Sequence, residues 1–456
     1  MMEKKGLSVK IRKLMPLVTA IGVVLIGGWY MLTTAPGHIP DVWSHIYRMA
    51  GILNGDVMAR PVDSVSYLHG GTGNVGGHVD WEWIEYSQQH YDGYDPTVVR
   101  PDSIKVSDES GADVPYNNTA TNSPVAYLPQ LVGFGIGKMA GFSADITYHL
   151  AEVLMLLTYA GCAAASVALL PRWRIIVGLV MMCPWLIRYS AFAISADSFT
   201  QALAFLFTGM VFRSLYRRVS NAYCVAVACV SVLLAMGKFV YTPMVVLALL
   251  IPWVQRAAPV TEPILRTGHV PSIWHDPRLW ICAAGNALAF LWLLVWLKAT
   301  SWFVNTPMIV SYDQMLEKKS AMFSGPAGMM EVMQAVFSAI VHGRANLGRR
   351  ADGLAIQLFW ILWVAVAAAL LAASLLRAMP VRRLVFWWCA VSVSMGIILL
   401  TYVALWLQYT PVGVTTVDGM QHRYFFPLVI LMLLCGLECL YGLRVRRRLH
   451  RSAEDR

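Results

Sequence analysis

Charged residues are scarce in this chain of 456 residues: they make up 14% of it, whereas about a quarter of a soluble domain is charged. Apolar residues make up 57%. Cysteine is absent from every predicted loop, because all eight cysteines fall inside long apolar segments. These shortages exclude an ordinary soluble domain and a disulfide framework in the loops. They predict a protein whose main partner is the lipid bilayer.

The net charge of +10 does not indicate a nucleic-acid-binding protein, because of where the basic residues stand. They cluster in short loops and at both ends of the chain, which is the pattern that sets membrane topology. We therefore expect no nucleic-acid partner.

Long apolar runs recur along the whole chain, and a run of about 20 residues is enough to cross a bilayer. The first run resembles a signal peptide, but it is too long for the apolar part of one, so we interpret it as a permanent span. The runs predict an all-α polytopic membrane protein with about ten transmembrane helices, at 14–32, 147–170, 174–192, 199–216, 220–237, 239–254, 279–299, 354–376, 384–407 and 424–443.

The apolar segment 123–141 is a possible eleventh span, but counting it would move several arginine-rich turns to the outside of the cell. The positive-inside rule therefore favours an interfacial helix there, and it places the basic loop 255–278 in the cytoplasm. The predicted organisation is a cytoplasmic N-terminus at 1–13, a first transmembrane helix at 14–32, an extracytoplasmic loop with interfacial helices at 33–146, transmembrane helices 2–7 at 147–299, a second extracytoplasmic loop at 300–353, transmembrane helices 8–10 at 354–443 and a basic cytoplasmic tail at 444–456.

Polar residues gather at the predicted outer ends of the spans, although they are distant in sequence. Asp41, His45 and Arg48 follow the first span in PDVWSHIYRMAGILNGD. A charge near membrane depth is costly, so this convergence indicates a functional site. Taken singly, the acids can be helix caps and the cations can be boundary anchors. The remaining members stand at later spans: Arg188, Asp197, Lys238, Tyr241, Arg423 and Tyr424.

Two features of the first loop favour simpler interpretations. The glycine-rich stretch HGGTGNVGG at 69–77 matches no phosphate-binding fingerprint, and we expect a flexible turn. A divalent metal is compatible with the sequence but is not required by it, so the cofactor is unassigned. The acids and histidines of this loop lack the spacing of a metal motif and predict a solvated surface: His69, His78, Asp80, Glu82, Glu85, His90 and Asp92.

An outward-facing site with an acid and several cations suits transfer from a phosphate-bearing lipid. The carboxylate can accept the proton of an acceptor hydroxyl, while lysine and arginine stabilise charge on the departing phosphate. Nucleotides are scarce outside the cell, so a sugar donor there has to be linked to a lipid.

The chain also resembles a known family, the bacterial membrane proteins grouped as domain of unknown function 2142, which are related to the GT-C glycosyltransferases. The resemblance covers roughly 36–435 and rests on PDVWSHIYRMAGILNGD, YLPQLVGFGIGK, ISADSFTQAL, MGKFVYTP and DGMQHRYFFP. It implies a GT-C-like architecture with Asp41 as the catalytic base and with Lys238 and Arg423 as phosphate-binding residues. The sequence departs from the family pattern at Val42, where a second acid is expected, and at His422, where a glycine is expected.

We therefore expect an inverting, GT-C-type glycosyltransferase in the bacterial cytoplasmic membrane, with its active site on the outer face. Its donor would be a polyprenyl-phosphate-linked sugar and its acceptor a cell-surface glycan or envelope polymer. Asp41 would be catalytic, and the other eight site residues would bind substrate. The alternatives are a transporter or flippase for lipid-linked saccharides and a non-catalytic assembly partner. The charges crowd the span ends rather than the bilayer midplane, which favours the enzyme over the transporter.

Overall fold

A computed structural model describes residues 2–255, 272–301, 310–342 and 350–454. The chain is mostly helical. Most of the predicted cytoplasmic loop 255–278, and parts of the predicted second loop 300–353, lie outside the described residues. The α-helices are α1 Met2–Thr33, α2 Val42–Leu53, α3 Trp81–Gln89, α4 Leu128–Ala140, α5 Ala144–Leu169, α6 Arg174–Met181, α7 Pro184–Ile187, α8 Ala196–Ser214, α9 Asn221–Gly237, α10 Ile251–Gln255, α11 Pro277–Ala299, α12 Tyr312–Phe323, α13 Pro326–Val341, α14 Arg350–Leu375, α15 Val381–Gln408 and α16 Phe426–Glu454.

Six helical stretches in the described residues are long and apolar enough to cross a membrane, so the chain is a multi-pass membrane protein. The other four predicted spans are shorter, interrupted or less apolar, and the count of about ten stays a prediction. The six stretches are Lys10–Thr33, Ala144–Leu169, Pro277–Ala299, Gly353–Leu375, Val381–Gln408 and His422–Arg451.

Two of those four segments are not continuous α-helices, and a proline accounts for each. The predicted span 174–192 is divided into α6 and α7, which begins at Pro184. The predicted span 239–254 is a 3-10 helix, Phe239–Leu250, with Pro243 inside it, followed by α10. Proline lacks a backbone N–H and disfavours the helical conformation of the residue before it, so an apolar run does not guarantee a continuous helix.

The first loop contains a four-stranded antiparallel sheet in addition to helices, and the sequence analysis did not predict it. The strands pair in the order β1-β2-β4-β3. Along β2, five of the seven residues are buried and the other two are half-buried, so burial does not alternate between the two faces. Without the alternation of a half-buried strand, the period-two signal is missing from the sequence. The strands are β1 Arg60–Val62, β2 Asn74–Asp80, β3 Val106–Asp108 and β4 Gly111–Pro115.

The segment 123–141 contains α4, a helix of 13 residues. At about 1.5 Å per residue it is roughly 20 Å long, which is too short for a hydrocarbon core of about 30 Å. It packs along α5, where Gly133 lies directly against the backbone of Ala151. Its interfacial location stays a prediction.

Helix α8 lies at the centre of the bundle and contacts α5, α9 and α16. Nearly all of its residues are buried. Helix α2 packs on β2 of the first loop. The loop layer and the bundle therefore meet near the beginnings of α2 and α8, and this junction contains the charged pocket.

Candidate functional site

A cavity of about 220 Å³ lies where four distant parts of the chain meet. The turn before α2 supplies Asp41, and the first turn of α8 supplies Asp197. Lys238 follows α9, and Arg423 lies in the short 3-10 helix that precedes α16. Six of the nine predicted site residues line this cavity: Asp41, His45, Asp197, Lys238, Arg423 and Tyr424.

Asp41 occupies the N-cap position of α2, but its side chain makes no capping hydrogen bond. Its backbone adopts a left-handed conformation with φ 64°, which is uncommon for residues other than glycine, although aspartate tolerates it. The carboxylate accepts a hydrogen bond from Asn118 Nδ2 at 3.2 Å and another from Arg423 Nη2 at 2.9 Å. The side chain therefore faces the pocket, and the helix-cap alternative for Asp41 is wrong.

Two residues of the first loop cap α2 instead. Asp95 Oδ2 accepts the backbone N–H of Trp43 at 3.1 Å, and Thr97 Oγ1 accepts that of Ser44 at 3.1 Å. Burial, and next the charge of Asp41, raise the pKa of Asp95 to about 7. Because the first N–H groups of the helix already have acceptors, the Asp41 carboxylate is available to the pocket.

The pocket charges form an alternating network of acids and cations. Arg423 bridges the two acids, because its Nε lies 3.6 Å from Asp197 Oδ2 and its Nη2 contacts Asp41. Lys238 donates a hydrogen bond to Asp197, and its Nζ lies 5.1 Å from the ring centroid of Tyr424. Ser195 is the N-cap of α8, and its Oγ accepts a hydrogen bond from the backbone N–H of Asp197 at 3.2 Å. The Asp197 side chain is therefore not needed to cap the helix and is available to the pocket.

His45 links the pocket to the surrounding core. Its Nδ1 lies 2.6 Å from the Tyr127 hydroxyl and its Nε2 lies 3.3 Å from Ser195 Oγ. The residue is 6% exposed, and burial lowers its pKa to about 4. His45 is therefore neutral at pH 7, and it contributes hydrogen-bonding groups rather than positive charge.

Three predicted residues lie outside the cavity lining. Tyr241 is buried beside it and donates a hydrogen bond to the backbone carbonyl of Tyr424 at 2.8 Å, so it positions a lining residue. Arg188 is exposed, and its guanidinium lies 5.1 Å from the ring centroid of Tyr189. Its contact with a second ring, that of Tyr30 at 5.9 Å, is typical of a boundary anchor.

Arg48 is fully buried and serves the first loop rather than the pocket. Its guanidinium donates to the backbone carbonyls of Asp56 at 2.9 Å, Val57 at 2.7 Å and Asn122 at 3.2 Å. These bonds connect α2 to the chain that leads into the sheet and to the turn before α4. Arg48 was predicted to bind substrate, but it does not line the cavity, and its hydrogen bonds go to main-chain oxygens.

The polar stretch YNNTATNS at 116–123 supplies pocket residues that we did not predict from the sequence. Asn118, Thr119, Thr121 and Asn122 all line the cavity, and Asn118 contacts the predicted base. A run of consecutive polar residues directly before an apolar helix was the available signal. His69 also lines the cavity. Residues 69–73 of the stretch HGGTGNVGG are irregular, but Asn74–Gly77 already belong to β2, so the expectation of a flexible turn is wrong for the second half of the stretch.

The described residues contain no group of three or more His, Cys, Asp or Glu side chains that could hold a metal ion. Members of the predicted surface set have other partners: Asp92 lies 2.5 Å from His38, and Asp80 lies 3.2 Å from Lys138. Within the described part of the chain, the carboxylates of the pocket face cations instead of one another.

The fold and the pocket define a class: a multi-pass membrane protein with an internally paired charged site at one end of its helix bundle. The sequence model of the family described as "Predicted membrane protein (DUF2142)" matches residues 24–432, and the chain belongs to this family. No curated protein and no solved structure gives a significant match.

Proposed function

We propose that the protein is a glycosyltransferase that moves a sugar from a polyprenyl-phosphate donor to a cell-surface glycan or envelope polymer. The observation that carries the proposal is the convergence of Asp41, Lys238 and Arg423 on one cavity from distant parts of the chain. An acid beside two cations meets the two needs of such a transfer, which are proton removal and stabilisation of a leaving phosphate.

In the proposed reaction, the Asp41 carboxylate accepts the proton of an acceptor hydroxyl. The acceptor oxygen attacks the anomeric carbon as the bond from that carbon to the phosphate oxygen breaks, and the configuration inverts. The bonding electrons leave with the polyprenyl phosphate. Lys238 and Arg423 stabilise the charge that grows on this phosphate, Lys238 as a point charge and Arg423 through its planar fork of donors.

The geometry of Asp41 suits the role of a base. The side chain is 31% exposed, so an acceptor hydroxyl can approach it. Asn118 and Arg423 hold the carboxylate from two sides, which fixes its direction before the substrate binds.

The acceptor has room beside the pocket. A second cavity of about 460 Å³ lies across the C-terminal end of α15, where Trp406 lines this cavity while Leu405 and Tyr409 line the charged one. Glu317 and Gln334 also line the second cavity and provide groups for hydroxyl recognition.

The resemblance to GT-C glycosyltransferases supports the same function, and the basic turns favour an outward-facing site in the bacterial cytoplasmic membrane with both termini inside. The pairing of every pocket cation with a carboxylate supports the second candidate, a non-catalytic assembly partner. On that interpretation the network only joins the helices. A transporter or flippase is the third candidate.

The test is a lipid analysis of a host that lacks the native protein and carries wild type or Asp41→Asn. Removal of a general base slows proton-transfer chemistry by about 10²–10⁴-fold. We expect Asp41→Asn to accumulate one polyprenyl-phosphate sugar and to lose one surface substituent, as the deletion strain does. Asparagine tolerates the left-handed backbone of this position, so membrane abundance should stay at the wild-type level.

Asp63→Asn is the matched control, because Asp63 is an exposed acid outside the pocket that pairs with Lys105 at 2.8 Å. It should behave as wild type. If Asp41→Asn restores the surface substituent as fully as Asp63→Asn does, the catalytic role is refuted and a scaffolding or transport role is favoured.

A further inference from the structure

A third cavity, which we call the basic cavity, lies at the opposite end of the bundle from the charged pocket. The first turn of α8 contains Asp197 of the charged pocket, and its last turn contains Arg213, which lines the basic cavity. At about 1.5 Å per residue the helix separates the two sites by roughly 25 Å. The cavity measures about 1070 Å³, and its cationic lining is Arg12, Lys13, Arg172, Arg174, Arg213 and Arg217.

The lining cations come from three separate regions: α1, the turn between α5 and α6, and the end of α8. Arg172 is paired with Glu438 of α16, which also accepts a hydrogen bond from Trp173 Nε1 at 2.6 Å. Arg174 donates to the carbonyls at the end of α5, including that of Leu170 at 2.7 Å. No carboxylate stands among the lining residues that the structure describes. The cavity thus has an excess of positive charge.

The backbone at the cavity adds a second, independent observation. Trp173 has φ 71°, a left-handed conformation that is rare for a bulky residue. Trp173 is the N-cap of α6, and its side chain makes no capping hydrogen bond. Ile175 and Ile176, in the first turn of α6, line the cavity. The first turn of a helix presents N–H groups and a partial positive charge, so it adds to the attraction for an anion.

The positive-inside rule explains why basic residues occur at this end of the spans, but it does not explain their convergence. That rule concerns the number of lysines and arginines in loops, and it places no demand on their directions. Here one cavity is bordered by six cations, by the first turn of α6 and by Trp173 with its left-handed backbone. A recognition site accounts for this arrangement, and topology alone does not.

We infer that this cavity binds the phosphodiester headgroup of an anionic membrane lipid. Arginine matches phosphate oxygens through paired hydrogen bonds, and basic pockets between membrane helices on the cytoplasmic side suit anionic headgroups. The apolar neighbours favour a lipid over a free phosphate ion. Ile176 and Leu179 lie three residues apart on α6 and are 39% and 57% exposed, so an acyl chain can lie along that face. Tyr441 and Trp173 border the headgroup as interfacial aromatics do.

The test uses the full-length protein purified in a neutral detergent and titrated with short-chain phosphatidylglycerol. Phosphatidylcholine of the same chain length and inorganic phosphate form the other two arms. The readout is the midpoint of thermal unfolding, because a ligand that binds only the folded state raises it. We expect phosphatidylglycerol to raise the midpoint by several degrees at concentrations where the other two probes leave it unchanged.

The variant Arg213→Gln/Arg217→Gln should weaken the phosphatidylglycerol response at least tenfold. Arg446→Gln/Arg447→Gln is the matched control. These two arginines of the basic tail are exposed and lie outside the cavity lining, so their substitution removes the same amount of charge without changing the cavity. If the first variant does not fold, Arg12→Gln/Lys13→Gln replaces it, because both residues are exposed at the cavity edge.

Equal responses of the cavity variant and the tail variant would overturn the site. An equal response to phosphatidylcholine would also overturn it, since the headgroup charge would then be irrelevant. A rise produced by inorganic phosphate alone would overturn the lipid assignment and leave a site for a free anion. None of these outcomes depends on the activity of the Asp41 pocket, so the two proposals fail separately.

Discussion

Acidification should destabilise the folded protein through His45, and a single substitution isolates the effect. The buried imidazole has a pKa of about 4, whereas a histidine in the unfolded chain titrates near 6.5. Between these two values the unfolded state binds more protons than the folded state. The contribution of His45 to stability is therefore complete above pH 6.5 and is lost as the pH falls toward 4.

The two pKa values fix the size of the effect. Each pKa unit corresponds to about 1.36 kcal/mol, so the complete loss is about 3 kcal/mol. At pH 5 the linkage relation gives a loss of about 2 kcal/mol relative to pH 7.5. Asp95 acts in the opposite direction, because burial raises its pKa to about 7 and acid therefore favours its folded form. The pH profile of the wild type alone does not separate these two contributions.

The assay is the difference between wild type and His45→Gln, measured at pH 7.5 and pH 5. Unfolding in mixed micelles can be followed by the fluorescence of the 17 tryptophans. The wild type should lose about 2 kcal/mol more than His45→Gln over this range. His275→Gln, at an exposed histidine, should follow the wild type. Parallel profiles for wild type and His45→Gln would refute the assignment of His45 as a buried neutral group.

Three further predictions concern stability and are checked by unfolding of the purified variants. Asp95→Ala should cost about 1–2 kcal/mol because it uncaps α2, whereas Asp41→Asn leaves both caps in place, and equal losses would contradict this division. Arg48→Met should cost about 3 kcal/mol or more, because it leaves buried carbonyls without donors, and a loss below 1 kcal/mol would contradict this. Asp197→Asn/Lys238→Met should cost about 1–3 kcal/mol less than the sum of the single variants, and additivity would contradict a coupled pair.

Much of the candidate site could be predicted because the membrane restricts where charge can stand. Asp41, Asp197, Lys238 and Arg423 each border an apolar segment, so topology alone brings them to one end of the bundle. The sequence does not predict which of these acids pairs with which cation. It depends on which helices are neighbours, and the central position of α8 is decided by packing that no local pattern records.

Arg48 and Arg188 were predicted as site residues but do not line the cavity, and the reason is different. A long side chain on a correctly predicted helix can still reach several alternative partners. Arg48 lies one turn after His45, which lines the pocket, but its guanidinium donates its hydrogen bonds to three backbone carbonyls. Those carbonyls belong to the turns that enter the sheet and α4, so predicting the partners of Arg48 required knowledge of the sheet.

Val42, which stands where the family pattern has a second acid, belongs to the hydrophobic core. Val42 is fully buried at the first residue of α2. A glutamate there would have its carboxylate among apolar neighbours, at the cost that attends an unpaired buried charge. The second carboxylate of this pocket instead comes from Asp197, which Arg423 connects to Asp41. The valine therefore does not leave the pocket with a single acid, and the substitution by itself is no argument against an active enzyme.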